Sequence, residues 1–161
     1  MELFILVLLV FLLFAFAAGI AVYLLFAFGV FRLAKRGGIE NAWLAFIPIA
    51  QYYTLSMVVW DRVPAGFRDV LPWLLIGLSV TQFPLFMLEI IFPPLVILAI
   101  LLWFVTLGLV LYTLFELFRK YSDQYVVLLV FSILTLGLVG WIATFAIRNN
   151  EERPVDQARA A

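Results

Sequence analysis

The fold this sequence predicts is all-α: a polytopic membrane helical bundle of four transmembrane helices plus one broken re-entrant or interfacial segment. Three observations predict it. Hydrophobic residues make up 67% of the chain and charged residues only 12%, against roughly 45–50% and about 25% in soluble domains. Four apolar runs, residues 3–31, 71–92, 95–118 and 125–147, exceed the length of about 18 residues that marks a spanning helix. A further apolar stretch, 42–60, holds Pro48 and Gln51 in its interior, both unwelcome in a helix surrounded by lipid. With 161 residues and a mean hydropathy of +1.19, so short a chain cannot bury its apolar surface in a core of its own. Lipid must cover it.

The first run, 3–31, would be about 43 Å long as a helix against a hydrocarbon core of about 30 Å, so it tilts or protrudes at one end. Residues 3–14 followed by Ala15-Phe16-Ala17 have the look of a signal sequence and cleavage site, but no cation precedes them, so a retained anchor is expected. Arg32, Lys35 and Arg36 then meet the carbonyl end of the helix and Gly37-Gly38 stop it. Cations after the span and none before it place the N-terminus outside and this loop in the cytoplasm.

The runs 71–92 and 95–118 are separated by Pro93-Pro94, which withhold backbone donors and push the preceding residue out of α geometry, so a tight turn between antiparallel helices is expected. A polar connector, 119–124, leads to the run 125–147. The tail 148–161 is polar, mixed in charge and too short to fold alone; disorder or a position on the headgroups is expected. Thr106-Leu107-Gly108-Leu109-Val110 is echoed by residues 135–139, which in an antiparallel pair would set Gly108 and Gly137 at similar depth, though such short matches are common in this composition. Ala15/Gly19 and Ala17/Ala21 give a weaker small-residue spacing of the kind that lets helices approach.

From Trp43 to Trp60 the stretch is short for a span, at about 25 Å, although the two tryptophans at its ends resemble an aromatic belt. Pro48 fits better as the first residue of a shorter helix. If the segment turns back, seven cations lie inside and three outside; if it crosses, six and four. The positive-inside rule favours turning back. The expected element enters near Trp43, bends at Pro48 and returns by Asp61, sheltered by the spans.

Arg32-Leu33-Ala34-Lys35-Arg36-Gly37-Gly38-Ile39, then Asn41-Ala42-Trp43-Leu44-Ala45-Phe46-Ile47-Pro48-Ile49-Ala50 and the closing Ile147-Arg148-Asn149, resemble a family of small bacterial integral membrane proteins with no established activity. The resemblance implies a location in the bacterial cytoplasmic membrane and transfers no function. Gln51 stands where those relatives typically carry Asn.

Ten Lys and Arg balance ten Asp and Glu, and Cys and His are absent. No basic stripe points to nucleic acid, and disulfides, thiolate or imidazole metal sites and Ser-His-Asp or Cys nucleophiles are excluded. No catalytic residue, cofactor or metal is assigned, and the chain reads as no enzyme. The candidate intramembrane polar site is Gln51, Gln82 and Glu89. Gln82 lies near the middle of its run, where its amide needs partners and the carbonyl of Val80, released by Pro84, is one acceptor; such a residue more often joins helices than binds a substrate. Glu89 lies near the end of the same run, either paired or raised in pKa by burial, or simply wet at the headgroups. Arg32, Lys35 and Arg36 are the candidate contact with anionic lipid, alongside their role in topology. Glu116 with Arg119 and Lys120 has the spacing of a local ion pair. Partners expected are membrane lipid and another copy or another membrane protein. The expected function is a non-enzymatic structural or accessory component; the alternative is a small oligomeric transporter or channel using Glu89 and Gln82.

Overall fold

A computed structural model describes residues 1–135 and 137–154, with Glu89 described by its backbone alone. The chain is all-α. Among the described residues three stretches are long and apolar enough to cross a membrane: Glu2–Arg36, Ala65–Leu88 and Leu95–Tyr121.

Helix α1, Glu2–Arg36, is 35 residues long, about 52 Å at 1.5 Å per residue. No proline interrupts it, and it closes in a Schellman motif: Ile39 N–H donates to the Ala34 carbonyl at 3.0 Å and Gly38, at φ +72°, donates to Lys35 at 3.3 Å. The two glycines therefore end the helix as expected. Residues 1–21 are exposed on every side, whereas Phe26, Ala27, Gly29, Val30, Leu33 and Ala34 are buried.

The chain then runs back along α1. A 3-10 turn, Ala42–Phe46, brings Phe46 against Phe28 and Phe31, with ring centroids 4.9 and 5.3 Å apart, and Tyr23 Oη donates to the Phe46 carbonyl at 2.8 Å. After a tip at residues 47–49, α2, Ala50–Val58, climbs back until Lys120 Nζ reaches the Val58 carbonyl at 3.0 Å and Asp61 at 2.7 Å. Residues 42–60 are thus a hairpin with both mouths at the end where α1 finishes, termed here the polar end. Pro48 lies in the tip, two residues before the helix begins, and is not its first residue.

A single turn, α3 (Ala65–Arg68), leads into α4, Leu71–Ile91, which runs away from the polar end; after Pro93-Pro94, α5, Leu95–Tyr121, returns to it. The pair is antiparallel with Gln82 level with Thr106, the geometry the two prolines predict.

The expected span 125–147 is not one helix. It forms α6, Tyr125–Leu134, and α7, Leu138–Ala146, followed by a 3-10 turn, Ile147–Asn149. Gly137, at φ +94°, donates its N–H to the Ser132 carbonyl at 2.7 Å and turns the chain. The segment closes on itself at its mouth, where Asn150 Nδ2 donates to the Tyr121 carbonyl at 2.8 Å. Inside, a Cβ on Gly140 would lie 2.9 Å from Ser132 Oγ. Helix α7 packs on α1: Phe26 stacks on Trp141 at 5.5 Å, and a Cβ on Gly29 would stand 2.8 Å from the Phe145 nitrogen. A single left-handed glycine between two runs of about ten residues thus makes a second hairpin. Neither repeat glycine packs as the echo predicts: Gly108 has nothing within 4 Å of its would-be Cβ, and Gly137 is a turn. Gly19, likewise, faces open space.

The first part of the tail is ordered. Arg36 donates to the carbonyls of Arg148 and Asn150, Tyr121 Oη donates to Glu152 at 2.9 Å, Arg153 pairs with Asp123 at 2.9 Å, and Arg62 donates to the Arg153 carbonyl. Lys120, buried, bonds Asp61 and lies 3.4 Å from Glu152. Its expected pairing with Glu116 is not made, while Glu116 and Arg119 stand 3.8 Å apart as the spacing predicts. Residues 148–154 therefore strap both hairpin mouths to α1 and α5, contrary to the expected disorder; residues 155–161 lie outside the described set. The core, including Phe26, Leu33, Leu55, Leu114 and Phe118, sits in the half of the bundle nearest this strap.

Candidate functional site

The tip of the first hairpin roofs a cavity of about 450 Å³. Pro48, Ile49, Gln51 and Tyr52 come from the tip, Tyr23 from α1, Ser79 and Gln82 from α4, and Trp103 and Thr106 from α5. Gln82 and Thr106 stand near the middles of their helices, so the site lies at mid-depth of the bundle. Among the described residues no charged side chain lines it.

Local structure dictates what each polar group offers. Serine and threonine in an unbroken helix donate back to the carbonyl four residues earlier. Ser79 does so to Leu75 at 2.7 Å and Thr106 to Leu102 at 2.8 Å, while Tyr23 donates to Phe46. With their protons committed, these three hydroxyls face the cavity as acceptors. Gln82 Nε2 donates to Thr106 Oγ1 at 3.1 Å, tying α4 to α5; this bond, rather than one to the Val80 carbonyl, holds its amide. Gln51 is different. It is only 5% exposed, its Oε1 has no hydrogen-bond partner, and no protein bond is made from its Nε2 among the described residues. A buried amide oxygen left unpaired costs about 1–3 kcal/mol, which makes Gln51 the lining group with an open hydrogen-bonding demand. The hydroxyl of Thr54, one turn further along α2, is also buried without a partner.

The backbone beside Gln51 is strained. Ile49 has φ 58° and ψ −54°, a conformation rare for any residue and more so for a β-branched one. Strain of this kind costs about 1–3 kcal/mol and gathers at binding and switching sites. The bonds from Gln51 N–H to the Ile47 carbonyl at 2.9 Å and from Tyr52 N–H to Ile49 at 3.1 Å hold the tip in place.

Of the predicted polar residues, the structure brings Gln51 and Gln82 to one cavity. Glu89 lies two helical turns further along α4, about 10 Å beyond Gln82 towards Pro93-Pro94, and its side chain lies outside the described residues. Of the predicted lipid-contacting cations, Arg32 and Lys35 are exposed, with Lys35 Nζ 6.0 Å from the centroid of the Phe31 ring; Arg36 is engaged by the strap carbonyls. Sequence reasoning missed Tyr23, Ser79 and Thr106. The spacing of Ser79 and Gln82, three apart on one helix face, was the available signal for the second of these. Among the described residues no three acidic side chains gather as metal ligands. No protein-family model, curated protein or solved structure matches this chain, so the resemblance around Arg32 to Ala50 gives it no family, and its function must be read from the two hairpins and the cavity between the helices.

Proposed function

We propose that the chain is a non-enzymatic, multi-pass protein of the bacterial cytoplasmic membrane that holds a small molecule in the cavity beneath the first hairpin. The observation that carries this reading is the convergence of Gln51 and Gln82 on one mid-depth cavity, with the Gln51 amide unpaired. Irregular backbone and polar side chains at membrane depth persist where they line a cavity, and binding sites in membrane proteins are commonly built from interrupted segments. The complete lack of Cys and His supports a role without chemistry.

Orientation follows from charge. Arg32, Lys35, Arg36, Arg62, Arg68, Arg119, Lys120, Arg148 and Arg153 all belong to the polar end, which supports a cytoplasmic polar end and an outside N-terminus. The earlier expectation of seven cations against three assumed that 125–147 crosses; a second hairpin returns Arg148 and Arg153 to the polar side.

The absence of cysteine makes a direct test available. In bilayer nanodiscs the full chain carrying Ser79→Cys reacts with N-ethylmaleimide at least tenfold faster than one carrying Leu9→Cys, because a thiol must meet water to ionise. Equal, slow reaction of both would reduce the cavity to a packing gap. The structural or accessory reading would then stand; it is favoured by residues 2–21 of α1, which are exposed throughout and offer a surface to a second copy or another membrane protein.

A further inference from the structure

We infer, resting on the binding reading above, that the ligand is an uncharged single-chain amphiphile: a hydroxyl-bearing head beside Gln51 and Gln82, and a hydrocarbon tail lying between α5 and α7. A neighbouring cavity adjoins the polar one at Thr106. It has a volume of about 200 Å³, shares Tyr52, Trp103 and Thr106 with the first, and continues along α5 to Gly137 and Trp141. Its floor is Leu107, Val110, Leu111 and Leu114, at spacings that set all four on one helix face. Ile49 borders the first cavity and Gly137 the neighbouring one, the first lined by several polar groups and the second mostly by apolar side chains.

The lining selects the occupant. Among the described side chains no Lys, Arg, Asp or Glu borders either cavity, so a charged head would meet no counter-ion there, which favours an uncharged one. The hydroxyls of Tyr23, Ser79 and Thr106 present acceptors, and Gln51 adds a buried Oε1 without a partner and an Nε2 that makes no bond among the described residues. A hydroxyl head, itself donor and acceptor, matches this set; a pure hydrocarbon would leave the amide unsatisfied. A short polar solute would leave the α5–α7 chamber empty. Placed at mid-depth, the site draws on molecules already dissolved in the bilayer.

The test uses the full chain carrying Ser79→Cys in nanodiscs, with dodecan-1-ol as the probe. Dodecan-1-ol slows N-ethylmaleimide labelling at least fivefold, while dodecyl phosphate, dodecyltrimethylammonium and glycerol change it less than twofold. Val110→Trp, which fills the tail chamber, leaves labelling intact and removes the protection, separating occupancy from a general effect on the bilayer. Thr106→Cys repeats the readout should Ser79→Cys fold poorly. Equal protection by the charged amphiphiles or by glycerol, or protection that survives Val110→Trp, overturns the inference while the binding reading stands. Thiols that are inert without any addition overturn both.

Discussion

At the scale of single residues, Gly29 and Ile49 show how much backbone placement depends on one side chain. Gly29 lies where α7 crosses α1, and the nearest atoms to a Cβ there belong to the backbone of Thr144 and Phe145 at 2.8–2.9 Å, which cannot swing aside as a side chain can. Gly29→Ala is therefore expected to lower stability by about 1–3 kcal/mol, whereas Gly19→Ala, in open space, is neutral or slightly favourable. Thermal unfolding in detergent separates the two. Ile49→Gly relieves a left-handed β-branched residue and is expected to raise stability by about 1 kcal/mol after the entropic cost of glycine, with a looser cavity roof. An unfolding midpoint unmoved or lowered by Ile49→Gly would show that the tip is not strained. Among residues, the amides were legible because lipid makes an unpaired amide expensive. The hydroxyls of Ser79 and Thr106 were not, because each satisfies itself on its own helix and so leaves no unmet demand to read.

At the scale of elements, the two hairpins differ in how openly they declare themselves. The first carries Pro48, an amide and flanking cations, and its turn could be reasoned out before the structure. The second carries neither proline nor charge between Tyr125 and Ile147. Its one local signal is Gly137, and glycine is ordinary in spanning helices, so hydropathy read one span where two short helices stand. What settles it lies far away in sequence: Asn150 on Tyr121, Arg36 on the chain at 148 and 150, and the Gly29–Phe145 contact. Gly137→Ala, which puts a side chain at φ +94°, is expected to cost about 1–2 kcal/mol and to weaken the α6–α7 hairpin, while Gly108→Ala in the matching pentapeptide costs nothing. Similar unfolding midpoints for the two variants would argue that 125–147 is continuous. The helix ends at Gly37-Gly38 and Pro93-Pro94 were legible because each is set by the local chemistry of glycine or proline.

At the scale of the whole molecule, the strap changes the topology. With α1, α4 and α5 as the long helices and both hairpins returning, Arg153, near the end of the described residues, shares a side with the 61–70 loop, where Arg62 donates to its carbonyl. Reporter fusions at the C-terminus and in that loop are expected to read the same compartment, opposite to an N-terminal one; a C-terminal reporter on the N-terminal side would mean that the second hairpin opens into a span. The fold class and the placement of the first three long helices could be read from hydropathy, since it reports which segments avoid water. Closure at the polar end could not, since Lys120, Arg36 and Arg62 choose carbonyls and carboxylates from elements that are distant in the chain.

Because both hairpins dip from the same face, one half of the molecule contains three rods and two folded inserts, and the other half contains only rods. Such a body is a wedge. Seated in a bilayer, it claims more area in the leaflet at its polar end than in the opposite one, and it fits best where that leaflet is stretched, on a surface that bulges towards the polar side. Reconstituted with its polar end outward, the protein is expected to be denser on narrow membrane tubes drawn from a vesicle than on the flat parent membrane, and even density across tube radii would show that lipid fills the difference.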